Sequence, residues 1–327
     1  MHELKYLTAV NPEATVVERR RAEHAEVKGN LLQMSQEDVL HCADGILAVY
    51  KPSGVYVQHV QESAAKWYRS TKEEQDAAGD GSETSSHHCW SQREDRTSPN
   101  RSSDREQDEP AFLQLVHRLD RDTSGVLLLA TCRAASNSLH RAFNLGQATK
   151  TYVCLCTGLK PAWQQITVDT GHGRSKHGLW RVYDQEDIGC ELPGGSRIRN
   201  ARTHFWVESM TPKEQQESSD NAALATTTKA RPSRDEACCR EQDIIFWIRL
   251  RAQPVTGRTH QIRLHCAYLG LPIAGDLKYY GTPFDCHGEP LDHHMLHAES
   301  LELPHPSRRT ELVKLFAPRP LWAQHDR

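Results

Sequence analysis

Along the chain, apolar residues gather in short runs bounded by turn-forming residues, a pattern of strands more than of long helices. Gly45–Tyr50 (GILAVY) reads as a strand ending in the turn Lys51-Pro52-Ser53-Gly54, and Val55–Gln58 as a second short strand. Residues 115–130 (LVHRLDRDTSGVLLLA) place two apolar segments around a polar turn built from Asp122, Thr123, Ser124 and Gly125. Ala134–Asn144 carries Leu139 and Phe143 four apart, which predicts a helix ended by Gly146. Lys150–Cys156 (KTYVCLC) and Ile244–Arg251 (IIFWIRLR) are predicted strands. Thr259 is placed to cap a helix running to Leu269, with Ile262, Cys266 and Leu269 on one face and Gly270 stopping it. Strands far apart in sequence with few helices predict an α+β fold: a mixed, largely antiparallel central sheet flanked by helices.

Two polar stretches interrupt this pattern. Residues 61–110 and 209–240 are rich in Ser, Asp, Glu and Arg and poor in aliphatics, so both read as disordered surface insertions. The expected organisation is an irregular N-terminal extension (1–43), a catalytic domain (44–322) holding both insertions, and a short tail (323–327). The insertions also change the reading of charge. The formal net charge of −3 conceals 7 Lys/Arg against 12 Asp/Glu in residues 61–110, and 5 against 8 in residues 208–243. The remainder is net positive by 5, which keeps a polyanionic partner open.

No apolar run approaches a membrane span, and the first residues lack the basic start and apolar core of a secretory signal. Ten cysteines without a C-x-x-C pair suggest reduced thiols in an intracellular compartment, the cytoplasm first, with nucleus and organelles left open. Cys286, His287, His293, His294 and His297 lie close together, but without matching cysteine pairs the expectation is no metal.

The chemistry concentrates in two runs. In the first, Asp120 after an apolar segment suits a cap or turn residue, but Asp122 is the better turn former, which leaves Asp120, behind His117 and Arg118, free to point elsewhere. In the second, Gly257–His265 (GRTHQIRLH), Arg258, Gln261 and His265 recur about a turn apart; the residues suit either a solvated basic face or a guanidinium set holding phosphates and a carboxylate. Burial alone raises a carboxyl above ~3.9, and a neighbouring Arg can lower it by about 1–3 units. Asp120-Arg121-Asp122-Thr123 also imitates the D-x-D-x-T run of magnesium-dependent aspartyl-phosphate phosphatases, although His117 and Arg118 interrupt the apolar strand that such a site wants.

HRLDRDTSGVLLLA and GRTHQIRLHCAYLGLPIAGDLKYYG resemble the two signature motifs of the RluA-type RNA pseudouridine synthases. YKPSGVYVQ resembles the family's first motif, KTYVCL its tyrosine motif and LHAESLELPHP its C-terminal strand; HGLWRVYDQEDIGCELPGGS is similar to short plant-type members. The resemblance implies a pseudouridine synthase fold with its active-site cleft across the sheet, no cofactor, and a monomer acting on structured RNA, transfer or ribosomal. It implies Asp120 as nucleophile, Arg263 as its partner, and Tyr152 as the ring that stacks on the base and a group suited to taking the sugar C2′ proton. Arg118, Arg258, His260, Gln261, Lys51 and Leu264 fall at motif positions implied to meet the RNA or steady the loop, Lys51 as a structural group or a phosphate contact and Leu264 near the base. On this reading Arg263→Ala leaves folding intact and raises the pKa of Asp120. Residues 1–43 are too short for the small RNA-binding domain that precedes many relatives. An RNA-binding protein without catalysis is the alternative.

Overall fold

The computed structural model describes residues 12–78, 112–175, 178–213, 244–308 and 310–324, which form two compact units. One is built from Arg19–Tyr152 and His297–Pro320, the other chiefly from Val153–Leu296 with segments near both chain ends.

In the first unit, β1 (Val39–Ala43), β2 (Ile46–Lys51) and β4 (Ser124–Ala130) run antiparallel in that order. The short β3 (Gln114–Leu115) pairs with the end of β4, and β10 (Leu296–Pro304) pairs in parallel with its start. β11 (Leu312–Phe316) then pairs antiparallel with β10. The run ILAV in β2 and the run VLLLA in β4 are apolar on both faces, as strands buried from both sides must be. Ile46, Ala48, Val126 and Leu128 face one cluster, closed by Ala135 and Leu139 of α3 (Arg133–Asn144). Leu47, Val49, Leu127 and Leu129 face the other, closed by Val57, Val60 and Ala64 of α2 (Val57–Ala78). Gly125 sits at φ +119, and a Cβ there would lie 2.1 Å from the Ala298 carbonyl oxygen, so only glycine lets β10 pair beside it.

The second unit is a ribbon ordered β5-β9-β8-β6-β7: β5 (Thr149–Leu159), β6 (Gln165–Arg174), β7 (Trp180–Tyr183), β8 (Arg199–Pro212) and β9 (Ile245–Pro254). β7, β6, β8 and β9 are antiparallel throughout. α4 (Gln261–Tyr268) packs against it. The expected α+β class with a mixed, largely antiparallel sheet and few helices is what the strands form.

Several local expectations give way. Val55–Gln58 is not a strand; the chain enters α2 at Val57 and stays helical to Ala78, through the first eighteen residues of the expected insertion at 61–110. Residues 79–111 lie outside the described residues. Of the second insertion, 209–240, the start continues β8 to Pro212, and residues 214–243 lie outside the described residues. Residues 1–43 are not irregular where described, since they supply α1 (Pro12–Asn30) and β1. α4 starts later than expected, with His260 rather than Thr259 at its N-cap.

Candidate active site

The first signature run is a loop slung between β3 and β4. Leu119 is its buried anchor, leaving Arg118 exposed and Asp120 half-buried on either side. Leu128 N–H donates to His117 Nε2 at 3.1 Å, and Thr123 N–H donates to the Asp120 carbonyl at 3.2 Å, closing the turn. Asp122 is buried and gripped by both arms of Arg121, at 2.6 and 2.7 Å. Its carboxylate is thus committed inside the loop, which removes the reading of Asp120 and Asp122 as a shared magnesium site.

Lys51 has no exposed surface, and its ammonium donates to the carbonyls of Pro52, Arg121 and Thr123, each at 2.8 Å. An ammonium carries three N–H groups, so all three are used. Burial pushes its pKa down to about 7, against the raising fields of Asp122 and then Asp120. A fully buried, fully bonded amine does not reach a phosphate. This corrects Lys51 from the RNA-contact set to the structural role: it fastens the β2 turn to the two residues flanking Asp122. Tyr152, at the end of this unit on β5, packs half-buried against the cluster that holds Leu119. Burial, and then the charge of Asp120, push its phenol well above the usual range, so it is protonated at neutral pH.

The second run builds the N-terminus of α4. His260 sits at φ 56, a strained conformation for a residue with a Cβ, and its Nδ1 lies 2.8 Å from the Tyr279 hydroxyl. Arg263 is buried and forks Asp276 through Nε at 2.7 Å and Nη2 at 2.8 Å, while its guanidinium lies 5.1 Å from the Tyr279 ring centre. Gly275 is obligatory beside Asp276: its φ is +77, and a Cβ would lie 2.0 Å from the His293 carbonyl oxygen. Gln261 is buried, accepts from Thr256 Oγ1 and Arg258 N–H, and donates to the Arg202 carbonyl and Thr203 Oγ1. Thr203 Oγ1 also meets His265 Nδ1 at 2.9 Å. Leu264 has no exposed surface and packs with Ala267 and Tyr279. Gln261 and Leu264 are therefore corrected from RNA contacts to the internal bolts of α4, and the helix is not a solvated basic face. Arg258 is half-buried, donates to the Asn200 carbonyl at 3.1 Å, and has its pKa lowered by burial and then by Arg199.

Asp120, Tyr152, Arg118 and Lys51 thus belong to one unit, and Arg258, His260, Gln261, Arg263 and Leu264 to the other. Sequence reasoning missed Asp276 and Tyr279, both inside the quoted motif GDLKYYG; the signal was a carboxylate placed directly after a glycine. In the His-rich segment, His297 is the second residue of β10 and its Nδ1 lies 2.9 Å from Ser124 Oγ, and His293 pairs with Asp292. Among the described residues, the ligand atoms that converge closely enough for a metal are elsewhere, on Cys154, Cys156 and Cys266.

The family model for RNA pseudouridylate synthase matches residues 45–268. The chain is 36% identical over 310 residues to RNA pseudouridine synthase 1 of Arabidopsis thaliana, covering 95% of this chain and 83% of that one. It is 44% identical over 216 residues to RNA pseudouridine synthase 1 of Oryza sativa subsp. japonica, covering 64% and 61%. It is 33% identical over 214 residues to the Ribosomal large subunit pseudouridine synthase C of Escherichia coli K12, covering 64% and 54%. Among solved structures it is similar to Human RNA Pseudouridylate Synthase Domain Containing 1 (TM-score 0.54, 20% identity, 88% of this chain and 87% of that) and Domain Containing 4 (0.53, 18%, 92% and 94%), likenesses that show the fold alone. With two thirds of its length matched by the model, the first signature motif and the start of the second inside the match, and 36% identity to a relative over 95% of the chain, the chain belongs to the RNA pseudouridylate synthase family.

Proposed function

We propose that this RNA pseudouridine synthase uses Asp120 as its nucleophile on a uridine of structured RNA, ribosomal or transfer, and works as a monomer in an intracellular compartment. The observation that carries the reading is the loop fastened by Lys51: its bonds to the carbonyls of Pro52, Arg121 and Thr123, with Asp122 gripped by Arg121, fix the backbone directly after Asp120 on the signature loop. The carboxylate attacks a carbon of the nucleotide, the N1–C1′ bond breaks, the base turns, C5 joins C1′, and the bond between the carboxylate oxygen and that carbon breaks, which returns Asp120 as a free carboxylate. C5 loses a proton and N1 gains one, so atoms and electrons balance without oxidant or cofactor. Extracting the base from its stack costs a few kcal/mol, which an aromatic platform and backbone-gripping cations offset. Tyr152 supplies the ring, and its protonated phenol favours the platform role over that of a resting base. Arg263, whose guanidinium is forked on Asp276, steadies the second signature motif, and Arg118 and Arg258 grip phosphates.

The name of the bacterial relative supports ribosomal RNA as a substrate class. The test is the purified full chain with total RNA and nothing added: pseudouridine forms, and mapping pseudouridine across the transcriptome after gene deletion shows which uridine is lost. A chain that binds RNA and leaves every uridine unchanged is a binding module, and the proposal fails.

A further inference from the structure

The second unit holds three thiols that the isomerisation does not use. Cys154 and Cys156 are two residues apart on β5, so their side chains share a face. Cys266 comes from α4. All three have no exposed surface. Cys154 Sγ lies 3.8 Å from Cys156 Sγ and 3.9 Å from Cys266 Sγ, and the three sulfurs lie within 4.8 Å of one another.

We propose that Cys154, Cys156 and Cys266 form a binding site for one soft divalent cation of the zinc type. With metal–sulfur bonds of about 2.3 Å, sulfurs around one ion stand about 3.8 Å apart in a tetrahedron and about 4.0 Å apart in a trigonal plane. The 3.8 and 3.9 Å separations already match. The ligands stand on a strand and a helix, elements rigid enough to hold three sulfurs convergent before the ion arrives. Thiolate selects soft cations over magnesium or calcium.

Charge decides the oxidation state. Three thiolates around a dication leave one net negative charge, whereas a monovalent ion leaves two. Binding releases the thiol protons to solvent, so affinity falls in acid. Cys266 lies three positions after Arg263 on α4, so the ion would also fix the helix that carries this guanidinium.

The test is anaerobic titration of the reduced full chain with cobalt(II), followed by zinc(II), in parallel with copper(I). The expected result is thiolate-to-cobalt charge-transfer absorption saturating at one ion per chain and bleached by one equivalent of zinc. A chain keeping these three of its ten cysteines, with the other seven changed to Ser, should retain the full signal. Cys156→Ser should lose about a third of it, in proportion to thiolates lost. Absence of charge transfer in the wild-type chain overturns the site without recourse to any variant. So does a signal lost with the other seven cysteines, binding of copper(I) with none of cobalt or zinc, or a mass loss of two hydrogens showing that two of the thiols form a disulfide instead.

Discussion

At the scale of single residues, two buried charges do unlike work. Lys51 fastens backbone: replacing it with Met strands three carbonyls, an effect of about 1–3 kcal/mol for each buried group left unsatisfied, offset in part by no longer burying an ammonium. Lys51→Met should lower stability by about 2–4 kcal/mol in urea titration and cut pseudouridine formation at least about tenfold, with RNA affinity nearly unchanged. Loss of RNA affinity at unchanged stability would restore the phosphate-contact role. Arg263 is different. Its side chain is locked to Asp276, so the expectation that Arg263→Ala leaves folding intact gives way: removing one partner of a buried pair costs about 3–5 kcal/mol. The double variant Arg263→Ala, Asp276→Ala should regain part of that loss, and a double variant no more stable than Arg263→Ala would show the pair is not coupled. Residue identity made the chemistry legible in both cases, but not the partner. Lys51 bonds backbone seventy and seventy-two residues away, and backbone carbonyls leave no mark on sequence.

At the scale of elements, the strands were legible because β2 and β4 are buried on both faces and read as unbroken apolar runs. α2 was not. Val57, Val60, Ala64, Trp67 and Tyr68 follow a helical period, but the first of them reads equally as a strand and the last three lie in the polar stretch that continues to residue 110. Averaged over that stretch, composition hid the stripe. The helix is nonetheless part of the core: Ser63 Oγ accepts from Met34 N–H and donates to the Leu32 carbonyl, and Gln61 donates to the Leu113 carbonyl. Ala64→Asp, which buries a charge against Leu47 and Leu129, should therefore cost about 3 kcal/mol or more, whereas Glu73→Ala on the exposed side should be neutral within about 0.5 kcal/mol. Equal midpoints for the two variants in thermal unfolding would place α2 outside the cooperative core. The cap of α4 was misread for a related reason: Thr259 has the right side chain, but the strained turn at His260 is set by Tyr279, nineteen residues on.

At the scale of the whole molecule, acid and salt report on different parts. Burial holds His265 at about 3 and His297 at about 4, below the ordinary 6.5. Between pH 6.5 and about 4 the unfolded chain takes up protons that the folded chain refuses, so their contribution is complete above pH 6.5 and is lost as pH falls through that window. Urea midpoints should fall from pH 6.5 to 4.5, and a flat profile would show that these imidazoles are solvated. RNA affinity should fall with salt, and Arg118→Ala should weaken binding to all RNAs alike and reduce the slope of log affinity against log salt by about 0.7–0.9, the share of one phosphate. An unchanged slope would remove Arg118 from the interface. The central claim is the nucleophile. The most direct measurement is single-turnover pseudouridine formation by the parent chain and Asp120→Asn, at RNA concentrations that saturate both. The account predicts equal thermal midpoints, retained RNA binding, and a rate lower by a factor on the order of 10⁴ or more in the variant. A variant that folds, binds and isomerises uridine at the parent rate would contradict it.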